Sequence, residues 1–319
     1  MRRILTIDGG GVKGTFSAAC LARLEAHLDR PLIDYFDLIA GTSTGGLITL
    51  SLGLGYSAAR AMEKYAEAAP RIFRKSGVIG HLRHVITSKY SVKPLQEELA
   101  AHFGERLLGE SRCRLLVPTM DVTRNHVHVF KTSHHPSLFK DIHVSAIEVC
   151  LAAVSAPSYF PIHRTHDGAA MIDGSLWAHN PTLLAVIEAV GLLGWPREEI
   201  SVLSLGFPPE PLPYDVSGRR HVGAYEASFR LADLLMNAQS TSALVNARLL
   251  ISQDRVVRVT PEAGWEAIAL DGIESLPVLK QLGLSAGERV AEQHFDTFFS
   301  EPAEPFVPCN KLEPIRHAI

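Results

Sequence analysis

No excess of charge of either sign marks this chain. Lys plus Arg number 31 against 34 for Asp plus Glu, a net charge of −3 at neutral pH. The basic footprint that nucleic-acid binding needs is therefore missing. Aromatic residues are few, at 7%, which fits poorly with a platform for stacking bases. Cysteine is scarce: Cys20, Cys113, Cys150 and Cys309 are the only four, and no two are spaced as a metal pair or a redox CxxC. A disulfide framework is excluded, and reduced, mostly buried thiols are expected, as in a cytoplasmic protein. Metal-ligand clusters are also lacking. His126 and His128 alternate and His134-His135 follow, but no Cys, Asp or Glu completes a recognisable spacing. The apolar run after Arg2 and Arg3 is too short for a signal-peptide core. Leu38 to Ala59 carries no charge and has the length of a membrane span. Its glycines, with Thr42, Ser43, Thr44, Thr49 and Ser51 among them, make it a buried strand, a tight turn and a buried helix instead.

What is present is apolar material. Hydrophobic residues make up 46% of the 319 and charged residues 20%, with a mean hydropathy of +0.10. That supports a large core and excludes a disordered chain. Ile4 to Ile7 is a strand, followed by a glycine turn and a helix from Gly14. Phe36 to Ala40 repeats the sequence of strand, glycine turn and helix, the rhythm of a parallel α/β sheet. Further strands are expected at 114–122, 126–130, 170–172, 200–206 and 255–259. Helices are expected at 57–73, 93–103, 146–153, 181–193, 222–251 and 286–299. Phe207 to Asp215 (FPPEPLPYD) breaks regular structure and is the candidate linker or lid. Residues around Leu82, Val85 and Ile86, or Leu212 and Tyr214, could meet a bilayer, although such residues are more often core. No repeat or low-complexity block interrupts the chain. The expectation is one domain over 1–319, with a motif-bearing core at 1–206 and a mainly helical part at 207–319.

Two glycine turns carry the chemistry. Gly9-Gly10-Gly11-Val12-Lys13-Gly14 matches GxGxxG after a strand, a loop that offers amides and a helix N-terminus to an anion. The anion could be a dinucleotide's pyrophosphate or the oxyanion of ester cleavage. A dinucleotide site calls for an acid at the end of the second strand, but Ala40-Gly41-Thr42-Ser43 stands there. Gly41-Thr42-Ser43-Thr44-Gly45 is GxSxG between a strand and a helix, the place of a nucleophile elbow. There Ser43 needs a sharp turn, and Gly41 and Gly45 let helix and strand approach. A histidine base is not obvious: His221, His294 and His317 lie late in the chain without a distinctive turn. Asp173, at a strand end before Gly174, is the marked acid, at the same sheet edge as Ser43.

DGGGVKG (Asp8 to Gly14), GTSTG (Gly41 to Gly45), SAPSYFP (Ser155 to Pro161) and DGSLWAHNP (Asp173 to Pro181), in that order, resemble the patatin-like phospholipase family. The resemblance implies an α/β fold with a central, mostly parallel sheet flanked by helices and a helical C-terminal elaboration. It implies a Ser43–Asp173 dyad without histidine and calcium-independent hydrolysis of lipid acyl esters through an acyl-enzyme, with no cofactor. Gly10 and Gly11, with Gly9, would form the oxyanion hole, and Lys13 and Gly14 would face a substrate phosphate. Three positions depart from the family pattern: Lys13 where Arg is common, Ser175 after Asp173-Gly174, and His179 where Asn is common. Lys13 keeps a cation but lacks the guanidinium fork.

The opening and the IAGTSTGG block look most like bacterial members that act as effectors of cyclic-oligonucleotide antiphage signalling. That likeness implies a nucleotide-switched enzyme at the inner face of the membrane. The alternatives are a constitutive esterase for non-phospholipid lipids and, from a different class, a nucleotide-binding protein that uses the GxGxxG loop. A membrane lipid and a cyclic nucleotide are the expected partners, nucleic acid is not, and self-association is left open.

Overall fold

The computed structural model describes residues 1–73, 88–209, 224–263 and 268–312, with backbone alone for 224–230. Leu82, Val85, Ile86, Leu212, Tyr214, His221, His317 and most of the Phe207–Asp215 segment lie outside the described residues.

Eight strands form one sheet. They are β1 (Arg2–Ile7), β2 (Leu38–Gly41), β3 (Arg114–Asp121), β4 (His126–Lys131), β5 (His163–Arg164), β6 (Ala170–Asp173), β7 (Ile200–Leu205) and β8 (Val256–Val259). The order β3-β2-β1-β7-β8 is parallel throughout. The pairs β3–β4, β3–β6 and β5–β6 are antiparallel. The central strands are apolar on successive residues because helices cover both faces. Leu5, Ile7, Ile39, Leu115 and Leu203 enter one core, and Ile4, Leu38, Ala40, Leu116 and Val202 enter the other.

Nine α-helices lie among the described residues. α1 (Gly14–Glu25), α2 (Thr44–Gly53), α3 (Ala58–Ile72), α4 (Lys93–Phe103) and α5 (Ala146–Val154) precede the short α6 (Ser175–Ala178) and α7 (Thr182–Ile187). α8 (Ala224–Ile251) and α9 (Leu276–Phe298) follow. Phe16 of α1, Ile48 and Leu50 of α2 and Phe298 of α9 build the first core. Ala185 and Val186 of α7 with Ala247 and Ile251 of α8 build the second. Among the described residues no helix is long and apolar enough to cross a membrane. Cys20, Cys113 and Cys150 are buried free thiols, and Cys309 is exposed.

The last helix begins ten residues earlier than its expected start at Ala286. Gly283 weakens the helical signal before that start, and Gly287 lies just inside it. Both are buried against α1: a Cβ on Gly283 would lie 2.3 Å from the Phe16 carbonyl oxygen, and one on Gly287 would lie 2.6 Å from that of Cys20. The glycines one turn apart are a docking groove for α1, not a break. The strand expected at 255–259 is β8, which extends the sheet beside β7 within the C-terminal part. Arg258 of β8 reaches back to Asp8 at the end of β1, with its Nη1 2.9 Å from Oδ1 and 2.8 Å from Ser204 Oγ. His134, one of the clustered histidines, is structural. Its Nε2 lies 3.0 Å from Glu188, whose carboxylate also takes Lys131 Nζ at 2.7 and 2.8 Å.

Three strands divide the two edges of β3. β4 occupies one edge along residues 116–121, so β2 and β6 must share the other. β2 pairs there with residues 114–116 and β6 with residues 119–121. The two strands thus meet end to end, each with its C-terminus toward the other.

Gly283 supplies a test of sign. Helix propensity alone would make Gly283→Ala stabilising by about 1 kcal/mol. The contact with the Phe16 carbonyl makes it destabilising by about 1–3 kcal/mol, which urea denaturation with an unchanged m-value would measure.

Candidate active site

The turn from β2 into α2 is built by close approach. A Cβ on Gly41 would lie 2.2 Å from the Gly45 carbonyl oxygen, and one on Gly45 would lie 2.4 Å from that of Ile7. Only glycine lets α2 start this near the ends of β1 and β2. Between them Ser43 adopts φ 54° and ψ −124°, a backbone region that costs a side-chain-bearing residue about 1–3 kcal/mol. Gly41 and Gly45 therefore do what the GxSxG spacing requires, and Ser43 stands at the apex at the N-terminus of α2.

Asp173 ends β6 opposite Thr119 of β3, and Ala40 of β2 stands opposite Leu116. Three residues beyond each of Leu116 and Ala40 the levels coincide, so the register brings Ser43 and Asp173 together. The Ser43 hydroxyl stands beside the Asp173 carboxylate in one cavity and favours its charged form. The Ser175 amide and hydroxyl both donate to Asp173 Oδ1 at 2.8 Å. Gly174 permits the turn between them, since a Cβ there would lie 2.4 Å from the Pro118 carbonyl oxygen. Asp173 is buried, and burial pushes its pKa above the ordinary carboxylate value despite the Ser43 and Ser175 groups beside it. Ser175 is thus more than a small residue that preserves a turn: it fixes the orientation of the carboxylate. Its position after a strand-end Asp-Gly is the available signal.

The first glycine loop divides into parts. Gly10 and Gly11 line the same cavity as Ser43 and Asp173, and their amides have no acceptor among the described residues. Gly9 leaves the expected oxyanion set. Its N–H donates to the His179 carbonyl at 3.0 Å, and a Cβ on it would lie 3.2 Å from Ser43 Cβ and 2.8 Å from Ser175 Oγ. Gly9 gives Ser43 and Ser175 room and spends its N–H on His179. Lys13 is buried, with Nζ 5.2 Å from the centre of the Phe207 ring. Gly14 is a packing residue, because a Cβ there would lie 3.0 Å from Thr44 Oγ1.

The loop is clamped from both sides. The Tyr65 hydroxyl donates to the Gly11 carbonyl at 2.6 Å, and the Val12 N–H donates to the Leu270 carbonyl at 2.8 Å. A Cβ on Gly11 would lie 2.0 Å from that Leu270 oxygen. A carbonyl aimed at this turn does not suit the pyrophosphate that a dinucleotide site would cradle. No sequence pattern points to Tyr65 or Leu270.

The cavity measures about 370 Å³. Beyond Ser43 and Asp173 its walls are mainly apolar, with Leu47 and Ile48 from α2, Ile72 from α3 and Leu95 and Leu99 from α4. An acyl chain suits such walls, and the desolvation they impose is what raises Asp173.

Residues 5–186 match the family model described as patatin-like phospholipase. A cGAMP-activated phospholipase of Pseudomonas aeruginosa is 31% identical over 94% of this chain and 92% of its own. One from Vibrio cholerae is 28% identical over 95% of this chain and 96% of its own. Patatin-like protein 4 of Arabidopsis thaliana is 32% identical over 57% of this chain and 51% of its own.

The strain at Ser43 separates two substitutions that both remove the hydroxyl. Ser43→Gly should be more stable than Ser43→Ala by about 1 kcal/mol, the strain released less the entropy cost of glycine. Paired thermal or urea melts check it, and the reverse order would contradict the strain.

Proposed function

The chain belongs to the patatin-like phospholipase family, a family of lipid acyl hydrolases in which it also matches a probable inactive patatin, and on that footing we propose that Ser43 and Asp173 form its catalytic dyad. The observation that carries this reading is the juxtaposition of the Ser43 hydroxyl and a buried carboxylate in the lining of one mainly apolar cavity. Ser43 Oγ attacks the acyl carbonyl while Asp173 takes its proton. The amides of Gly10 and Gly11 hold the oxyanion, aided by the N-terminus of α2. The alcohol leaves with the proton from Asp173, and the acyl group stays on Ser43. Asp173 then activates a water that releases the fatty acid. Burial supports this role, because a carboxylate with a raised pKa is the stronger base.

The relatives matched over nearly the whole chain are cGAMP-activated phospholipases. We extend that property here: the chain is a phospholipase A-type enzyme switched on by cGAMP or a kindred cyclic oligonucleotide. It would act at the inner face of the membrane as an effector in antiphage defence. One domain, with residues 1–206 carrying the chemistry and 207–319 completing the sheet and packing on α1, suits that arrangement.

Fatty-acid release from phospholipid vesicles, with and without cGAMP, tests both layers. Ser43→Ala should abolish release, and Asp173→Asn should lower kcat by about 10²- to 10⁴-fold. Release that vanishes in Ser43→Ala but ignores cGAMP would keep the dyad and discard the switch. Since Asp173 must be ionised to accept the proton, kcat/KM should fall as pH drops through its raised pKa. The acid limb therefore lies above the ordinary Asp value of 3.8; a limb at or below that value would remove Asp173 as the base.

A further inference from the structure

The cavity runs beside α2 away from Ser43. Thr44, Leu47, Ile48 and Ser51 line it at helical spacing. After Leu47 and Ile48 continue the apolar wall, the fourth member is a buried hydroxyl. α4 follows the same pattern, with Leu95 and Leu99 and then His102. At this point the two walls join, because Ser51 Oγ and His102 Nε2 lie 2.9 Å apart. The closure is backed by packing. The Tyr56 ring lies 4.3 Å from the His102 ring at an interplanar angle of 30°, and its hydroxyl donates to the His102 carbonyl at 2.6 Å. Phe103 stands 6.1 Å from Tyr56 in an edge-on contact. Burial, with Arg60 and Lys64 nearby, holds the His102 pKa down to about 4, so the imidazole is neutral at working pH. A neutral pair that satisfies its own hydrogen bond can abut a terminal methyl at little cost.

We propose that Ser51 and His102 form the end-stop of the acyl channel and set the length of chain the enzyme accepts. The proposal rests on the reading of Ser43 as the nucleophile. Ser51 follows Ser43 by eight residues, which at 1.5 Å of rise per residue places the stop about 12 Å along the helix. Each methylene that still finds apolar wall contributes about fourfold to kcat/KM, the equivalent of about 0.8 kcal/mol. The gain ends where the methyl meets the pair, so the profile against chain length has a break.

The test measures kcat/KM of the full chain for saturated p-nitrophenyl esters from butanoyl to hexadecanoyl, with cGAMP present and absent. Each profile is normalised to its own butanoyl rate. His102→Ala opens the stop and should move the break to longer chains by one to a few methylenes. Ser51→Leu fills it and should move the break to shorter chains. Opposite shifts support the stop, since general loosening of the fold would not produce them; if one variant fails to fold, the other decides. A break at the wild-type chain length in a folded variant overturns the proposal while the dyad stands. Ester cleavage that persists in Ser43→Ala would instead refute the dyad reading and the end-stop with it.

Discussion

The site depends on one shared edge. β4 claims one side of β3, so β2 and β6 must divide the other between them. Two strands ending head to head on a common neighbour leave their C-terminal residues facing each other across a short gap. Ser43 and Asp173 occupy that gap although 130 residues separate them in the chain. Backbone hydrogen bonds of the sheet fix the distance between them, so no flexible side chain has to search for its partner. The antiparallel entry of β6 is what makes this work. A parallel strand at the same place would direct its C-terminus away from the elbow.

Close approach without Cβ atoms is the second requirement. Gly45 sits on the Ile7 carbonyl, Gly174 on that of Pro118 and Gly11 on that of Leu270. Each contact brings a turn against a backbone that a larger residue would push away. The result is a dry, crowded centre in which a carboxylate is buried and made more basic. The strain at Ser43 persists because the elements on both sides of the turn are held by the sheet and by α2 packing in the core.

The C-terminal part supports this centre from behind. Arg258 neutralises buried Asp8 immediately before the glycine loop. Leu270 caps the loop through Val12, and next to it Asp271 takes Lys89 and the Tyr90 hydroxyl as partners. Residues after 250 therefore touch the glycine loop directly. A ligand that moved them would be felt at Gly10 and Gly11 through contacts of one or two residues.

Much of the fold and the site is legible in the sequence because it is local. The glycine spacing around Ser43 demands an elbow wherever it folds, and the alternation of short apolar runs with glycine turns demands a mostly parallel sheet. Asp173 before Gly174 marks a strand end. The residues whose roles differ from expectation share a cause: they serve a distant partner. Gly283 looks like a helix breaker until α1 lies against it. Gly9 looks like an oxyanion donor until the His179 carbonyl takes its N–H. Ser175 shows its purpose only beside a buried carboxylate. The sequence determined the turns and the chemistry of the residues at them, since those depend on covalent geometry and nearest neighbours. The tertiary structure decided which amides stay free and which carboxylate is desolvated, since those depend on strands and helices far apart along the chain.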